Sequence, residues 1–213
     1  MVNLLDFDAL EYFTLIFVGV LIVVGTYFKV IIERWIKDKT LKTPSLRRDS
    51  TRDLAVKDIL TQLRTELSSD RVMIFRFHNG GNWPNKEPMK KLSCTYEAAR
   101  IGTTREADSF KDVLVSKVPE LVSIITNETA PQFFEVDQLP YSFFRSYLCN
   151  CGVESVAIRA LYVNSDRNYL LGAIIVNFDV NLEQLGKDFD MELAKHRIDI
   201  AAIRCEALLS SFS

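Results

Sequence analysis

Hydrophobic and polar positions along the chain fall into two regimes. From Tyr12 to Phe28 no charge interrupts an apolar run, and Lys29 is followed by the apolar Val30, Ile31 and Ile32. The stretch is about 20 residues long, the length at which a helix crosses a bilayer core of about 30 Å. It is apolar on every face, whereas a surface helix keeps a polar one, so it predicts a transmembrane helix over residues 12–33. From about residue 50 the pattern changes to short alternating runs and helical periodicity, as in a water-soluble domain. Thr51 to Ser69 carries Leu54, Ile59, Leu60, Leu63 and Leu67 near helical spacing behind Thr51 as a cap. Arg71 to Phe77 sets Val72, Ile74 and Arg76 against Met73, Phe75 and Phe77, which predicts a central strand with both faces largely apolar.

Asn79-Gly80-Gly81 offers positive-φ residues expected to end that strand. A loop through Trp83 and Pro88 follows, then a second strand over Leu92 to Ala98. Ser109 to Thr126 reads as one or two helical segments broken around Pro119. Phe133 to Val136 reads as a short strand, and Tyr141 to Cys149 as a short helix ending near Gly152. Ser155 to Val163 and Tyr169 to Phe178 form a hairpin around the polar Asn164 to Asn168. Leu182 to Leu209 closes the chain as a long amphipathic helix with Gly186 near its start. Hairpins joined to helices predict an α+β domain, an antiparallel sheet covered by helices.

Charge orients the apolar run. Asp6, Asp8 and Glu11 precede it without any Lys or Arg, while Lys29, Arg34, Lys37, Lys39, Lys42, Arg47, Arg48 and Arg52 follow. That bias predicts a short extracytoplasmic N-terminus over 1–11, the membrane helix over 12–33, a basic juxtamembrane tether over 34–50, and a cytoplasmic domain over 51–213. A secretory signal would need a basic n-region and a small-residue cleavage site, which are missing. Net charge is −2, and the tether's surplus of cations leaves the domain mildly acidic, which argues against a nucleic-acid-binding face. Cys94, Cys149, Cys151 and Cys205 would be reduced thiols in the cytoplasm.

Two stretches carry a family resemblance: SSDRVMIFRFHNGG, residues 68–81, and YLCNCGVESVAIRALYVNSDRNYLLGAIIVNFD, residues 147–179. Together they resemble the GAF family of sensor domains over about residues 51–212. Ala160 stands where that pattern commonly has a proline. The FHNGG segment also looks like small membrane-tethered proteins of phage-like genomes. The resemblance implies a GAF-like sheet and a ligand-sensing role without catalysis. The cyclic-nucleotide signature and the bilin-attaching cysteine context of some GAF domains are not found here.

Candidate chemistry is sparse. His78 and Asn79 at the expected strand end, with the aromatic Trp83, Tyr96 and Phe134, are the predicted ligand-binding residues, because apolar pockets with a few polar groups suit small molecules. His78 has no Ser, Cys or Asp at motif spacing, so no catalytic residue is assigned. Cys149-Asn150-Cys151 lacks the second ligand pair of a zinc site, so no metal and no cofactor are assigned. Some GAF-like domains reduce oxidised methionine through cysteines, which leaves a thiol-dependent reductase as the enzymatic alternative. The other readings are a protein-docking module without a ligand, and a homodimer through Leu54, Ile59, Leu63 and Leu67 with Ile198 and Leu209. The remaining partner is the lipid bilayer, through residues 12–33.

Overall fold

The computed structural model describes residues 9–41, 46–82, 88–163, 166–186 and 189–210. It divides into two units, Met1–Asp49 and Ser50–Ser213. The first contains helix α1, Ala9–Leu41. Its window Ile16–Glu33 has a mean hydropathy of 2.1 and none of it is buried, so this helix is long and apolar enough to cross a membrane. The Thr26 hydroxyl donates back to the carbonyls of Ile22 and Val23, which keeps a polar group satisfied within an apolar helix. Of the stretch expected as a tether, residues 34–41 continue α1, residues 42–45 lie outside the described residues, and α2 begins at Leu46.

Helix α2 spans Leu46–Glu66, starting earlier than the pattern predicted; from Ser50 on it belongs to the second unit, and Ser68 at φ +52 turns the chain out of it. Strands β1 (Arg71–Asn82) and β2 (Pro88–Ala99) follow, then β3 (Val113–Leu114), helix α3 (Pro119–Asn127), β4 (Gln132–Glu135), α4 (Phe143–Asn150), β5 (Ser155–Val163), β6 (Asp166–Phe178) and α5 (Met191–Ser210). They form one six-stranded sheet in the order β3-β2-β1-β6-β5-β4, antiparallel at every junction.

Three expectations are corrected. The Asn79-Gly80-Gly81 segment lies inside β1, where pairing runs on to Asn82↔Pro88 through a register shift. The glycines thus serve an irregularity within the hairpin. Pro119 starts α3 instead of interrupting a helix, because at the first helical position its missing N–H removes no bond. The closing helix begins only at Met191, and residues 182–185 form turns ahead of Gly186 at φ +87.

Two layers of side chains cover the sheet. On one face Ile59, Leu60, Leu63 and Leu67 of α2 and Ile198, Ala202, Cys205 and Leu209 of α5 pack on Val72, Ile74, Leu161, Ile174 and Val176. Full burial contributes about 1.5–3 kcal/mol per large side chain. Of the stripe considered for dimerisation, five members close this core, and Leu54 stays exposed. On the other face Met73, Phe75, Ile158 and Ile175 meet Phe110, Leu121, Ile125, Phe144, Tyr147 and Leu148. Phe110 stands edge-on to Phe75 and to Tyr147, with ring centroids 4.6 and 5.0 Å away.

Candidate functional site

His78 and Asn79 sit on the far half of β1. His78 Nε2 lies 2.8 Å from Ser93 Oγ and 3.6 Å from Asp112 Oδ1, and the Asp112 N–H donates to the same Ser93 oxygen at 2.7 Å. The imidazole therefore helps tie the Asp112 turn, at φ +55, to β2. Tyr96, on β2, donates its hydroxyl to Asp53 Oδ1 of α2 at 2.7 Å. Burial first, then the Asp53 carboxylate, pushes the Tyr96 phenol up to about 12. Phe134, on β4, packs against the opposite layer, four strands away in the sheet order. The fold thus does not gather Tyr96 and Phe134 around one space, and Trp83 lies outside the described residues.

Three polar groupings were not singled out from the sequence. Arg71 is buried and pairs through Nε with Glu97 at 3.1 Å, while its Nη2 donates to the Thr104 carbonyl. Glu97 in turn accepts the N–H groups of Glu106 and Ala107. The pair pins the 104–107 loop to the sheet. Arg100 bridges Asp70 and Asp179 at 2.7 and 3.0 Å, clamping the ends of β2, β1 and β6 together. Asn177 and Ser69, both fully buried, have no side-chain partner among the described residues, a setting suited to internal water. The signal for Arg71 is its phase: it shares the parity of Met73 and Phe75, which puts it on the same buried face of β1.

A cleft of about 430 Å³ opens between the end of β4, α4 and the segment after β6. Glu135, Asp137, Arg145, Cys149, Glu154, Asn181 and Glu183 are among its lining residues. Glu135 is held by the Leu182 N–H at 2.8 Å, and Arg145 donates to the Leu139 carbonyl at 2.9 Å. Helix α4 presents Arg145 and Cys149 one turn apart, and two features fix its ends. The Ser142 hydroxyl accepts from the Arg145 N–H, and Gly152 at φ +69 lets the Val153 N–H reach the Leu148 carbonyl. With four acidic residues and one arginine among its lining, the cleft carries an excess of formal negative charge.

Three of the four thiols offer little nucleophilic character. Burial pushes Cys94 and Cys205 up to about 12, and burial with nearby Glu106 raises Cys151. Thiolate is the reactive form, so these three are disfavoured as nucleophiles. Cys149 is exposed. Among the described residues no cluster of His, Cys, Asp or Glu is placed to hold a metal.

No protein-family model and no curated protein match this chain. Solved structures do. A far-red cyanobacteriochrome photoreceptor superposes with a TM-score of 0.57 at 13% identity, covering 87% of this chain and 98% of that one. The phycocyanobilin-bound GAF domain of a cyanobacterial phytochrome gives 0.53 at 13%, covering 84% and 92%. The blue-light-absorbing form of the Thermosynechococcus elongatus PixJ GAF domain gives 0.54 at 13%, covering 78% and 92%. The fold is GAF-like. In this GAF-like domain α2 and α5 form one layer on the sheet, while α3, α4 and the loop carrying Phe110 form the other.

Proposed function

We propose that the chain is a non-enzymatic sensory module, a GAF-like domain held at a membrane by α1, with the domain on the cytoplasmic side. Support for the tether comes from the apolar window in α1 and the Lys and Arg residues that follow it. Of the solved structures it resembles, one is named a photoreceptor and two are named for the chromophore bound or the light absorbed, which supports a sensory reading.

The observation that carries a ligand-binding role is the cleft beside α4. Its volume lies within the range of small-molecule sites, about 300–1,000 Å³. Glu135, Asp137, Glu154 and Glu183 against Arg145 favour a cationic ligand over an anionic one. A ligand that binds the folded state raises the melting temperature by mass action. Melting of the full chain in detergent, with spermidine and arginine against citrate, tests this. The expected result is a rise with the amines that Glu154→Gln reduces. Equal response to citrate, or no response to any of the three, refutes the assignment.

A second reading, a docking surface for a protein segment, is favoured by Tyr141, which is 91% exposed, and by the neighbouring exposed Phe143. For the thiol-reductase alternative through Cys149 or Cys151, burial disfavours Cys151 as a nucleophile, while Cys149 is exposed.

A further inference from the structure

The sheet closes much of its rim with its own loops and side chains and leaves one stretch open. On the β2 side, Lys91 and Leu92 pair with Leu114 and Val113 of β3, and the Cys94 N–H donates to the Phe110 carbonyl. On the opposite side β5 outruns β4, which pairs only with Ser155 to Ile158. Beyond that point side chains take over. Arg159 donates to the Ala160 carbonyl, and Glu206 accepts the Tyr162 N–H. Edges blunted in this way resist pairing with other chains.

Strand β4 is different. The Val136 N–H donates to the Glu154 carbonyl at 2.9 Å, in the register that matches Gln132 with Ile158. Alternate residues of an antiparallel ladder turn their backbone groups to the same neighbour. Gln132, Phe134 and Val136 therefore face β5, while Phe133 and Glu135 face outward. Among the described residues neither Phe133 nor Glu135 has a backbone hydrogen bond on that side, and every residue of β4 is partly exposed. Their N–H groups and carbonyls form the template on which an extended peptide adds to a sheet. The strand leads into the acidic cleft, which Glu135 lines together with Asp137, Glu154 and Glu183.

We propose that the outer edge of β4 takes up an extended, basic segment of a partner protein as an added strand, with a Lys or Arg beyond Glu135 entering the cleft. Charge complementarity selects this occupant, because acidic residues outnumber Arg145 in the cleft lining. A second copy of this chain would bring up Pro131, which has no N–H, and Glu128, and neither supplies a cation. The charge half of the proposal rests on the cleft's preference for cations; the main-chain half stands on β4 alone.

The test is fluorescence anisotropy with the full chain in a non-ionic detergent and the labelled peptide Lys-Arg-Val-Thr-Val-Arg-Lys, for which saturable binding is expected. The same peptide N-methylated at Thr and both Val residues keeps its charge but loses those donors, and should bind about tenfold more weakly or worse. A version with Glu for each Lys and Arg should not bind. Glu135→Pro removes an outward N–H where φ is −73, an angle proline adopts, and costs no bond to β5. Its affinity should fall about tenfold below that of Glu135→Gln, which loses the same charge but keeps the N–H. Should Glu135→Pro not fold, the N-methylated peptide still decides. No binding of the basic peptide, equal binding of the N-methylated or acidic one, or equal affinity of the folded Pro and Gln variants overturns the proposal. A melting rise with spermidine that persists in those cases leaves the cleft reading standing, so the two failures are separable. A dimer of the full chain in sedimentation that Glu135→Pro dissolves would assign the edge to a second copy instead.

Discussion

Gly172→Ala is the sharpest perturbation the fold offers. Gly172 lies in β6 opposite Arg76, at the middle of the sheet. A Cβ there would sit 1.8 Å from the Phe75 carbonyl oxygen and 2.9 Å from Arg76 Cα. An ordinary carbon–oxygen contact needs about 3.3 Å, so β1 and β6 would have to part by about 1.5 Å. Ladder bonds on either side of that point would be lost, at about 1 kcal/mol each. Overpacking adds about 1–3 kcal/mol, for a total of about 3–5 kcal/mol. That is a large share of a domain's usual 5–15 kcal/mol or so. At about 2–4 °C per kcal/mol for a domain of this size, the melting temperature should fall by about 10 °C. Near-UV circular dichroism on the full chain follows the aromatic core. Gly19→Ala in α1, where a Cβ meets nothing within 4 Å, should leave that melt unchanged. A Gly172→Ala protein that melts within about 2 °C of the parent would refute the close approach of β1 and β6.

Three further outcomes follow from the interior. Glu206→Ala should destabilise by about 3–5 kcal/mol in urea titration, because the buried Glu206 pairs with Arg159 and also accepts the Tyr162 N–H. Arg159→Met with Glu206→Leu should recover much of that loss. For Asp53, burial acts upward, but hydrogen bonds from Tyr96 and Arg52 outweigh it and hold the carboxyl below its ordinary 3.8. Its contribution is therefore present above the unfolded value and lost as pH falls through the folded one. Tyr96→Phe should move the carboxyl back up in an NMR titration, and an unchanged titration would contradict the bond. With a maleimide reagent at neutral pH, Cys149 should label in the native chain, whereas Cys94 and Cys205 should label only after unfolding. Native labelling of Cys205 would contradict the packing of α5.

Much of this architecture was legible because periodicity reports burial. The two faces of β1 alternate as Val72 and Ile74 against Met73 and Phe75, and both sets are fully buried. Strand β5 runs from Ser155 to Val163, as its pattern predicted. Local signals misled where context decides their meaning. Pro119 and the Asn79-Gly80-Gly81 segment each suit a break as well as a start or a bulge, and only strand pairing or helix packing chooses between them. The candidate site was harder to read, for a specific reason. Ile74 pairs with Tyr96 but Phe75 pairs with Cys94, which leaves Thr95 as an extra residue in β2. That insertion puts Cys94 with one layer and Tyr96 with the other, although their even spacing suggests a shared face. The cleft beside α4 joins residues from 135 to 183 through sheet order, which no local pattern encodes.

The central claim is a GAF-like sensory domain held to a membrane by α1. Alkaline carbonate extraction of membranes from cells producing the full chain tests it most directly. The account predicts that the chain stays in the pellet, and that a version lacking residues 1–45 moves to the supernatant. Release of the full chain into the supernatant would contradict it.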